Sequence, residues 1–381
     1  MIDAITRIQV QRYRVHVQQL DRATDPHRSA TMADVLDLGV QDTGTGGAAW
    51  SLANRGTPVP GDPAASPASL ALAWSERGAP HFYRRADLAD LEVALRPFSE
   101  ADAGKRIGDA NRPLRLAGIS ATDALAEVAR HMRRIVSAPT PKGTVSTRLA
   151  QELPEPYLRW CRACDTTHPY EMTFRLAALH AGLELVPGTS PPVLAPIAGW
   201  SRDQPPGLEP GARLARLDPV RAYLHHLGPG TPTQVAAYLD APAADVIARW
   251  PTDARELSLD GATTWLLEPD LAVLAATNSV RGTPESGVVR LLGPFDPLLQ
   301  ARDRALLVPD EARRADLWRA LGRPGAVLAD GEIVGTWRPR ASGTRLRIEL
   351  DPWVPWHPAL VDAVGREREK LALHRGLALV E

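Results

Sequence analysis

Between residues 217 and 268 the order of apolar and polar positions spells out a folding unit. In LDPVRAYLHHLG the apolar residues 220, 223, 224 and 227 share one helical face. Gly228-Pro229-Gly230 ends that helix. Thr231 then stands as the cap of a second helix, TPTQVAAYLD, opened by Pro232. A third, APAADVIARW, has Pro242 near its start and Pro251 just past its end. ARELSLDGATTWLLE follows as two strand-like runs around Asp260-Gly261, a favoured hairpin turn. Three helices and a hairpin predict a winged helix. Its recognition helix offers Arg249 and Asp245 and little else for reading base edges.

The same grammar recurs earlier in the chain. ITRIQVQRYRVHVQQL and TMADVLDLG predict helices, and LALAWSERGAPHFYRRADL predicts a strand pair. TDALAEVARHMRRIVS is a capped amphipathic helix, VSTRLAQEL a second, and HPYEMTFRLAALHAGLELVPG a third that runs into a strand. Over the last ninety or so residues the period changes to strands: VVRLLGPFDPLLQARDRALLVP, GAVLADGEIVGTWRPR and GTRLRIEL. Arg345, Arg347 and Glu349 alternate there with Leu346, Ile348 and Leu350, which gives one wet and one dry face. A helix over VDAVGREREKLALHRG closes that module. The pattern predicts an α+β chain of tandem winged-helix units with a C-terminal β-rich module. The expected boundaries are 1–115, which holds the candidate active-site segment, 116–213, 214–285 and 286–381. The Pro- and Gly-rich stretches 57–67 and 201–213 read as linkers.

Composition narrows the class. The chain has 381 residues, 44% of them hydrophobic, enough to bury several cores. No apolar run reaches the roughly 18 residues a membrane span needs, and the start is neither a signal nor a transit peptide. The expectation is a cytoplasmic protein. Net charge is −1, which does not announce a sequence-independent polyanion binder. The basic residues are nearly all Arg, with Lys only at 105, 142 and 370; Arg suits bidentate contacts to phosphate and base edges.

Two stretches invite chemistry. GVQDTGTGGAAW (39–50) contains a match to the relaxed dinucleotide fingerprint. A dinucleotide site needs a strand before it and a second strand after its helix. Here Asp37 interrupts the first, and the Pro-rich 57–67 stretch occupies the place of the second. The glycines therefore read as a tight turn with close backbone approach, and attention moves to Gln41-Asp42-Thr43. The only two cysteines, Cys161 and Cys164, form a C-x-x-C. Zinc would need further ligands, for which His168 and His180 are available at unorthodox spacings. A thioredoxin-like redox pair belongs at a strand-to-helix junction, and here Trp160 and Arg162 flank the first cysteine. Buried structural thiols and no metal are the expectation, with a small-molecule enzyme built on the pair as an outside reading.

Several segments together resemble a known family. VLDLGVQDTGTGGAAWSLANRG, AWSERGAPHFYRRADL, WCRACDTTHPYEMTFRLAALHAGLELVPGTSPPVL, and LLGPFDPLLQARDR followed by GEIVGTWRPR occur in family order over most of the chain. On these, the chain is identified as similar to the winged-helix DNA-binding family that includes the AlkZ and YcaQ type DNA glycosylases, nearest an actinobacterial branch. The resemblance implies tandem winged helices shaped around double-stranded DNA. It also implies hydrolysis of the N-glycosidic bond of bulky alkylated or crosslinked purines, a role in DNA repair. The family's active site is Gln-x-Gln or Gln-x-Asp, aligned so that Gln41 is the first glutamine. Thr43 stands at the third position, a departure, and Asp42 at the position that is apolar in active members.

Breaking the bond of a cationic N7-alkylated purine requires a positioned water and stabilisation of an oxocarbenium-like sugar. An amide can orient the water; a carboxylate can orient it and stabilise the charge. Gln41, Asp42 and Thr43 are thus the catalytic candidates, with no cofactor and no metal required. Arg55, His81 and Lys142 are candidate DNA contacts, as are Arg338, Arg340, Arg345 and Arg347, which cluster on one hairpin. Asp296, Arg302, Asp303 and Arg304 are expected in an internal ion-pair network. The reading is a DNA-binding protein whose catalytic form is a monofunctional DNA glycosylase, a monomer. The alternative is a non-catalytic winged-helix regulator or scaffold, a dimer on operator DNA or bound to a protein partner.

Overall fold

The computed structural model describes residues 3–43, 46–200, 214–277 and 287–381. The expected linker 201–213 lies outside them. Helices and several sheets are mixed along the chain, an α+β architecture. Contacts group the chain into two units: Met1–Pro67, Val220–Val235 and Trp250–Glu381 form the first, and Ala68–Pro219 with Ala236–Arg249 the second. Among the described residues, no helix is long and apolar enough to cross a membrane.

In the first unit, helix Arg7–Val17 opens on a capping box in which Thr6 and Gln9 each satisfy the other's backbone N–H. Val10, Tyr13 and Val17 pack with Leu257, Leu266 and Leu274. Arg14 is buried on the same helix; it donates to Gly228 O at 3.0 Å and pairs with Asp303 at 2.6 Å. Strand Asp3–Ile5 runs parallel to Ala254–Leu259, which turns back as Ala262–Leu267. The turn has Asp260 at φ +50° and Gly261 at φ +83°, the left-handed pair of a type I′ hairpin. Gly230 bridges Trp265 of that hairpin through both backbone bonds. Helices Pro219–Leu227, Pro232–Leu239 and Ala243–Ala248 appear where the periodicity puts them, Thr231 and Gln234 forming a second capping box. The division between units falls inside the second of these helices.

The C-terminal part of this unit is a five-stranded sheet in the order Val289–Leu292, Gly325–Ala329, Glu332–Ser342, Arg345–Pro352, Ala378–Val380. The first four are antiparallel neighbours and the last is parallel. Pairing of Trp337 with Leu350, Pro339 with Ile348 and Ala341 with Leu346 puts these residues on one face of the sheet, whose Trp337, Leu346 and Ile348 are buried. There Trp337, Leu346 and Ile348 meet Leu360, Val364 and Leu371 of helix Pro358–His374. The other set, Arg338–Glu349, Arg340–Arg347 and Ser342–Arg345, faces out.

In the second unit an antiparallel sheet runs Pro80–Arg84, Leu70–Trp74, Leu183–Leu185, Val193–Pro196, Thr140–Pro141. Ala71, Ala73 and Tyr83 from it pack with Leu88, Leu91 and Leu179. Helices Glu100–Ile107, Ala121–Ile135, Lys142–Glu152 and Glu171–His180 accompany it, and a separate hairpin pairs Leu158–Cys161 with Thr166–Pro169.

Three local expectations change. TMADVLDLG is not one α-helix but two 3₁₀ turns, Ala30–Met32 and Asp34–Asp37. Ala33 between them is extended, at φ −79° and ψ 112°, and breaks the helical ladder. The 57–67 stretch ends at the boundary between the units, where a linker is expected, but its start is anchored: Thr57 and Val59 are buried in the first unit. The cysteines are not buried thiols either. Cys161 is half-buried and Cys164 exposed, because the two-stranded hairpin that carries them holds them at its turn rather than in a core.

Candidate active site

Gln41 ends the short strand Val40–Gln41, and Asp42 and Thr43 follow it toward helix Gly47–Ala53. Val40 is buried, Gln41 and Asp42 are half-buried and Thr43 is exposed. Asp42 turns toward the helix, where its Oδ1 accepts from Ala48 N at 3.4 Å. Burial raises the Asp42 carboxyl above its ordinary range, and the Ala48 N–H partly offsets this. Among the described residues no hydrogen bond engages the side chain of Gln41 or Thr43, so the Gln41 amide is available to a water or a ligand.

The glycines have a packing reason. Gly46 has φ +72°, and a Cβ there would lie 2.6 Å from Gly61 O. A Cβ on Gly61 would lie 1.9 Å from His374 O. These contacts force bare backbone where three segments meet. The first turn of the helix already faces a carboxylate, which leaves its amides poorly placed to cradle a phosphate. Among the described residues the next strand after that helix begins only at Leu70, beyond the Pro-rich stretch, and the dinucleotide reading gains no support from the fold.

The helix after Asp42 is locked into the first unit. Trp50 Nε1 donates to Leu291 O at 2.6 Å, and Asn54 Nδ2 to the same oxygen at 3.1 Å. Just past the helix, Arg55 pairs bidentately with Asp296, both contacts 2.9 Å, and both side chains are fully buried. Its guanidinium also donates to Ser51 O and Gln18 Oε1. Asp296 in turn accepts from Leu298 N at 3.0 Å. Thus VLDLGVQDTGTGGAAWSLANRG and LLGPFDPLLQARDR, far apart in sequence, are neighbours in space.

A family model described as DNA glycosylase AlkZ-like matches residues 35–374. The chain belongs to the AlkZ-like DNA glycosylase family. The solved structure of the Streptomyces sahachiroi DNA glycosylase AlkZ superposes on 99% of this chain and 99% of its own, with a TM-score of 0.69 at 20% identity. That likeness is one of fold. No curated protein matches the sequence.

The other expected site residues of this AlkZ-like chain fall into two groups. Arg340, Arg345 and Arg347 are exposed on the outer face of one hairpin; Arg338 beside them is half-buried, donating to Gly322 O at 2.6 Å. Arg340 and Arg347 are directly opposite, and Arg340 reaches Glu349 at 3.0 Å. Lys142, at the start of its helix, holds Glu171 at 2.6 and 2.8 Å. Arg55 and His81 are internal instead. The Arg55 guanidinium is committed to Asp296, and no part of it reaches the surface. His81 Nδ1 lies 2.9 Å from Ser75 Oγ and 3.0 Å from Ala79 O, and burial pushes its pKa down to about 4, so the ring is neutral.

The expected acidic and basic network exists in another form. Asp296 and Asp303 each pair with an arginine from the N-terminal part, Arg55 and Arg14, and the Arg304 guanidinium lies 5.1 Å from the Trp318 ring. Nothing in the linear spacing signals those two pairs, separated by 241 and 289 positions. In the second unit, Cys161, Cys164 and His168 converge, their ligand atoms all within 4.8 Å. His180, the other histidine considered for that set, bonds Glu92 at 2.5 Å.

Proposed function

We propose that this chain is a monofunctional glycosylase that hydrolyses the N-glycosidic bond of a bulky N7-alkylated purine in double-stranded DNA. The observation that carries this is the pair Gln41 and Asp42: an amide without a hydrogen-bond partner among the described residues, next to a carboxyl whose basicity burial has raised. Gln41 orients the attacking water through its amide. Asp42 accepts the water's proton and offsets positive charge on the sugar, and Thr43 adds a hydroxyl beside them. A cationic purine leaves neutral, so the leaving group needs no acid. The products are the free base and an abasic site. This assignment moves the carboxylate of the family's Gln-x-Asp pattern one position forward.

The tandem winged-helix reading agrees with the helix–helix–helix–hairpin order at 219–267 and with the Gly230–Trp265 bridge that adds a short strand to its wing. The proposed winged-helix segments are 1–115, 116–213 and 214–285, with the β-rich module at 286–381; these segments are counted along the chain and differ from the two contact-defined units. In the third, the recognition helix has its polar groups engaged: Asp245 accepts from Ser99 at 2.6 Å and the Arg249 guanidinium lies 4.6 Å from the Phe98 ring. That favours a monomeric enzyme indifferent to sequence over an operator-binding dimer. Arg340, Arg345 and Arg347, with Arg338 and Lys142, contact phosphates; Arg55 and His81 hold the fold. The setting is the cytoplasm, where chromosomal DNA is reached.

The test is base release from duplex DNA carrying N7-alkylguanine, from methyl to bulky adducts, with abasic sites read by alkaline cleavage. Asp42→Asn is expected to lower the rate by roughly 10²–10⁴-fold, the range for a positioned proton-transfer partner, and Gln41→Ala to lower it as well by leaving the water unpositioned. Because the Asp42 pKa is raised, activity declines as pH falls through a value above the ordinary carboxylate range, and Asp42→Asn removes that limb. Release unaltered in both variants would place the chemistry elsewhere.

A further inference from the structure

We infer that Cys161, Cys164 and His168 form a binding site for a thiophilic divalent cation, zinc in the first instance, with three protein ligands and a fourth position open to solvent. This rests on geometry in the second unit and is independent of the glycosylase reading. The two thiols and an imidazole nitrogen lie within 4.8 Å of one another. Tetrahedral zinc with bonds of about 2.0–2.3 Å sets its ligand atoms roughly 3.5–3.8 Å apart. A contraction of about 1 Å, within reach of side-chain torsions, closes the set.

The hairpin is built to present these ligands. Cys161 ends strand Leu158–Cys161 and Cys164 lies in the turn before Thr166–Pro169. Cross-strand pairing of Cys161 with Thr166 and of Arg159 with His168 puts Cys161 and His168 on one face. The turn between the strands is closed by the Cys164 N–H, which donates to Cys161 O at 3.2 Å and brings the two cysteines together. Asp165, at φ +51°, reverses the chain immediately after the second cysteine. His168 Nδ1 lies 2.9 Å from Pro169 O. A carbonyl only accepts, so Nδ1 carries the proton and Nε2 is the nitrogen left for a metal, the usual way a ligating histidine is oriented. Cys164 is exposed, which opens the fourth position to water.

Binding releases one proton from each thiol to solvent and leaves a centre of no net charge. It also gives the hairpin a cross-link. A two-stranded hairpin alone is marginal in water, yet this one displays Trp160, 62% exposed, along a groove shared with Lys142, Ser146 and Thr147. The cation pins the strand that carries Trp160.

The chain has only two cysteines, so any thiolate–metal signal reports this site. The full-length protein, untagged and kept reduced, is dialysed against metal-free buffer and titrated with Co²⁺ and then Zn²⁺. Expected are one equivalent of metal, a thiolate-to-cobalt charge-transfer band with tetrahedral d–d intensity, and bleaching of both by Zn²⁺. Amide exchange over 158–169 slows when zinc is bound. Cys164→Ser, at an exposed position that leaves the fold intact, abolishes the band. His168→Ala weakens binding by more than the roughly tenfold to hundredfold that loss of a supporting partner costs. Absence of the band in wild type, retention of Zn²⁺ affinity within twofold in Cys164→Ser, or a Cys161–Cys164 disulfide forming in glutathione buffer despite equimolar zinc would each overturn the inference.

Discussion

Replacing Asp296 by Ala strands the Arg55 guanidinium inside the first unit. Both side chains are fully buried, and the two bonds between them are 2.9 Å each. Removing one partner of a buried pair costs about 3–5 kcal/mol, because the remaining charge has neither solvent nor a counter-ion. The Leu298 N–H also loses its acceptor, which adds about 1 kcal/mol. The total of about 4–6 kcal/mol is a large share of the stability of any domain. At about 2–4 °C per kcal/mol for a unit of this size, Tm falls by roughly 8–24 °C. The assay is urea and thermal unfolding of wild type, Asp296→Ala and the double variant Arg55→Met/Asp296→Leu. The double variant is expected to recover most of the loss, since an apolar pair of similar volume substitutes well for a buried ion pair. A loss below about 1 kcal/mol in the single variant, or a double variant no better than the single, would refute the assignment of the energy to an uncompensated charge.

His81 and the arginine hairpin supply two further tests. Burial lowers the His81 pKa to about 4, against 6.5 in the unfolded chain. The folded state therefore binds fewer protons between these values, and the stability contributed by neutral His81 is complete above pH 6.5 and lost as pH falls toward 4. At pH 5 the loss is about 2 kcal/mol relative to pH 7, by the roughly 1.36 kcal/mol per pH unit of linkage. Urea unfolding at the two pH values should show a smaller difference in His81→Gln; an equal difference would put the proton elsewhere. For DNA binding, Arg340→Ala/Arg347→Ala should reduce the slope of log K against log salt by roughly 2, about 0.9 for each phosphate that is no longer neutralised. Anisotropy titrations at several salt concentrations measure it, and an unchanged slope would remove this hairpin from the DNA interface.

Local elements were legible because each carried its own punctuation. Thr231-Pro232 and Asp260-Gly261 mark a cap and a turn through backbone preferences that need no tertiary partner. The alternation at 345–350 survives as two real faces because one side packs on a helix and the other meets water. What stayed hidden was long-range. Arg55 reads as a surface arginine beside a catalytic segment, and nothing local reveals that Asp296 waits 241 residues on. Likewise C-x-x-C and His168 look mis-spaced as a linear motif. The hairpin register, not the count between residues, brings them together. The 57–67 stretch reads as a linker because Pro and Gly dominate it. Its two apolar or small anchors, Thr57 and Val59, are too few to show as a pattern, yet both are buried.

The same long-range contacts explain how a candidate base comes to be set at the surface. Asp42 has two opposed influences: burial raises its pKa and the Ala48 N–H lowers it. Ala48 belongs to the helix whose Trp50 and following Asn54 grip Leu291 O, and whose end is fixed by Arg55 on Asp296. The position of the lowering group is therefore decided by residues more than 230 positions away. A helix that shifted by even about 1 Å would lengthen a bond that already stands at 3.4 Å, and so weaken it steeply. Asp42 would then be held only by burial, more basic and less well aimed. The buried arginine–aspartate pair thus acts at a distance: through the helix it holds, it sets both the aim and the proton affinity of the carboxylate proposed as the base.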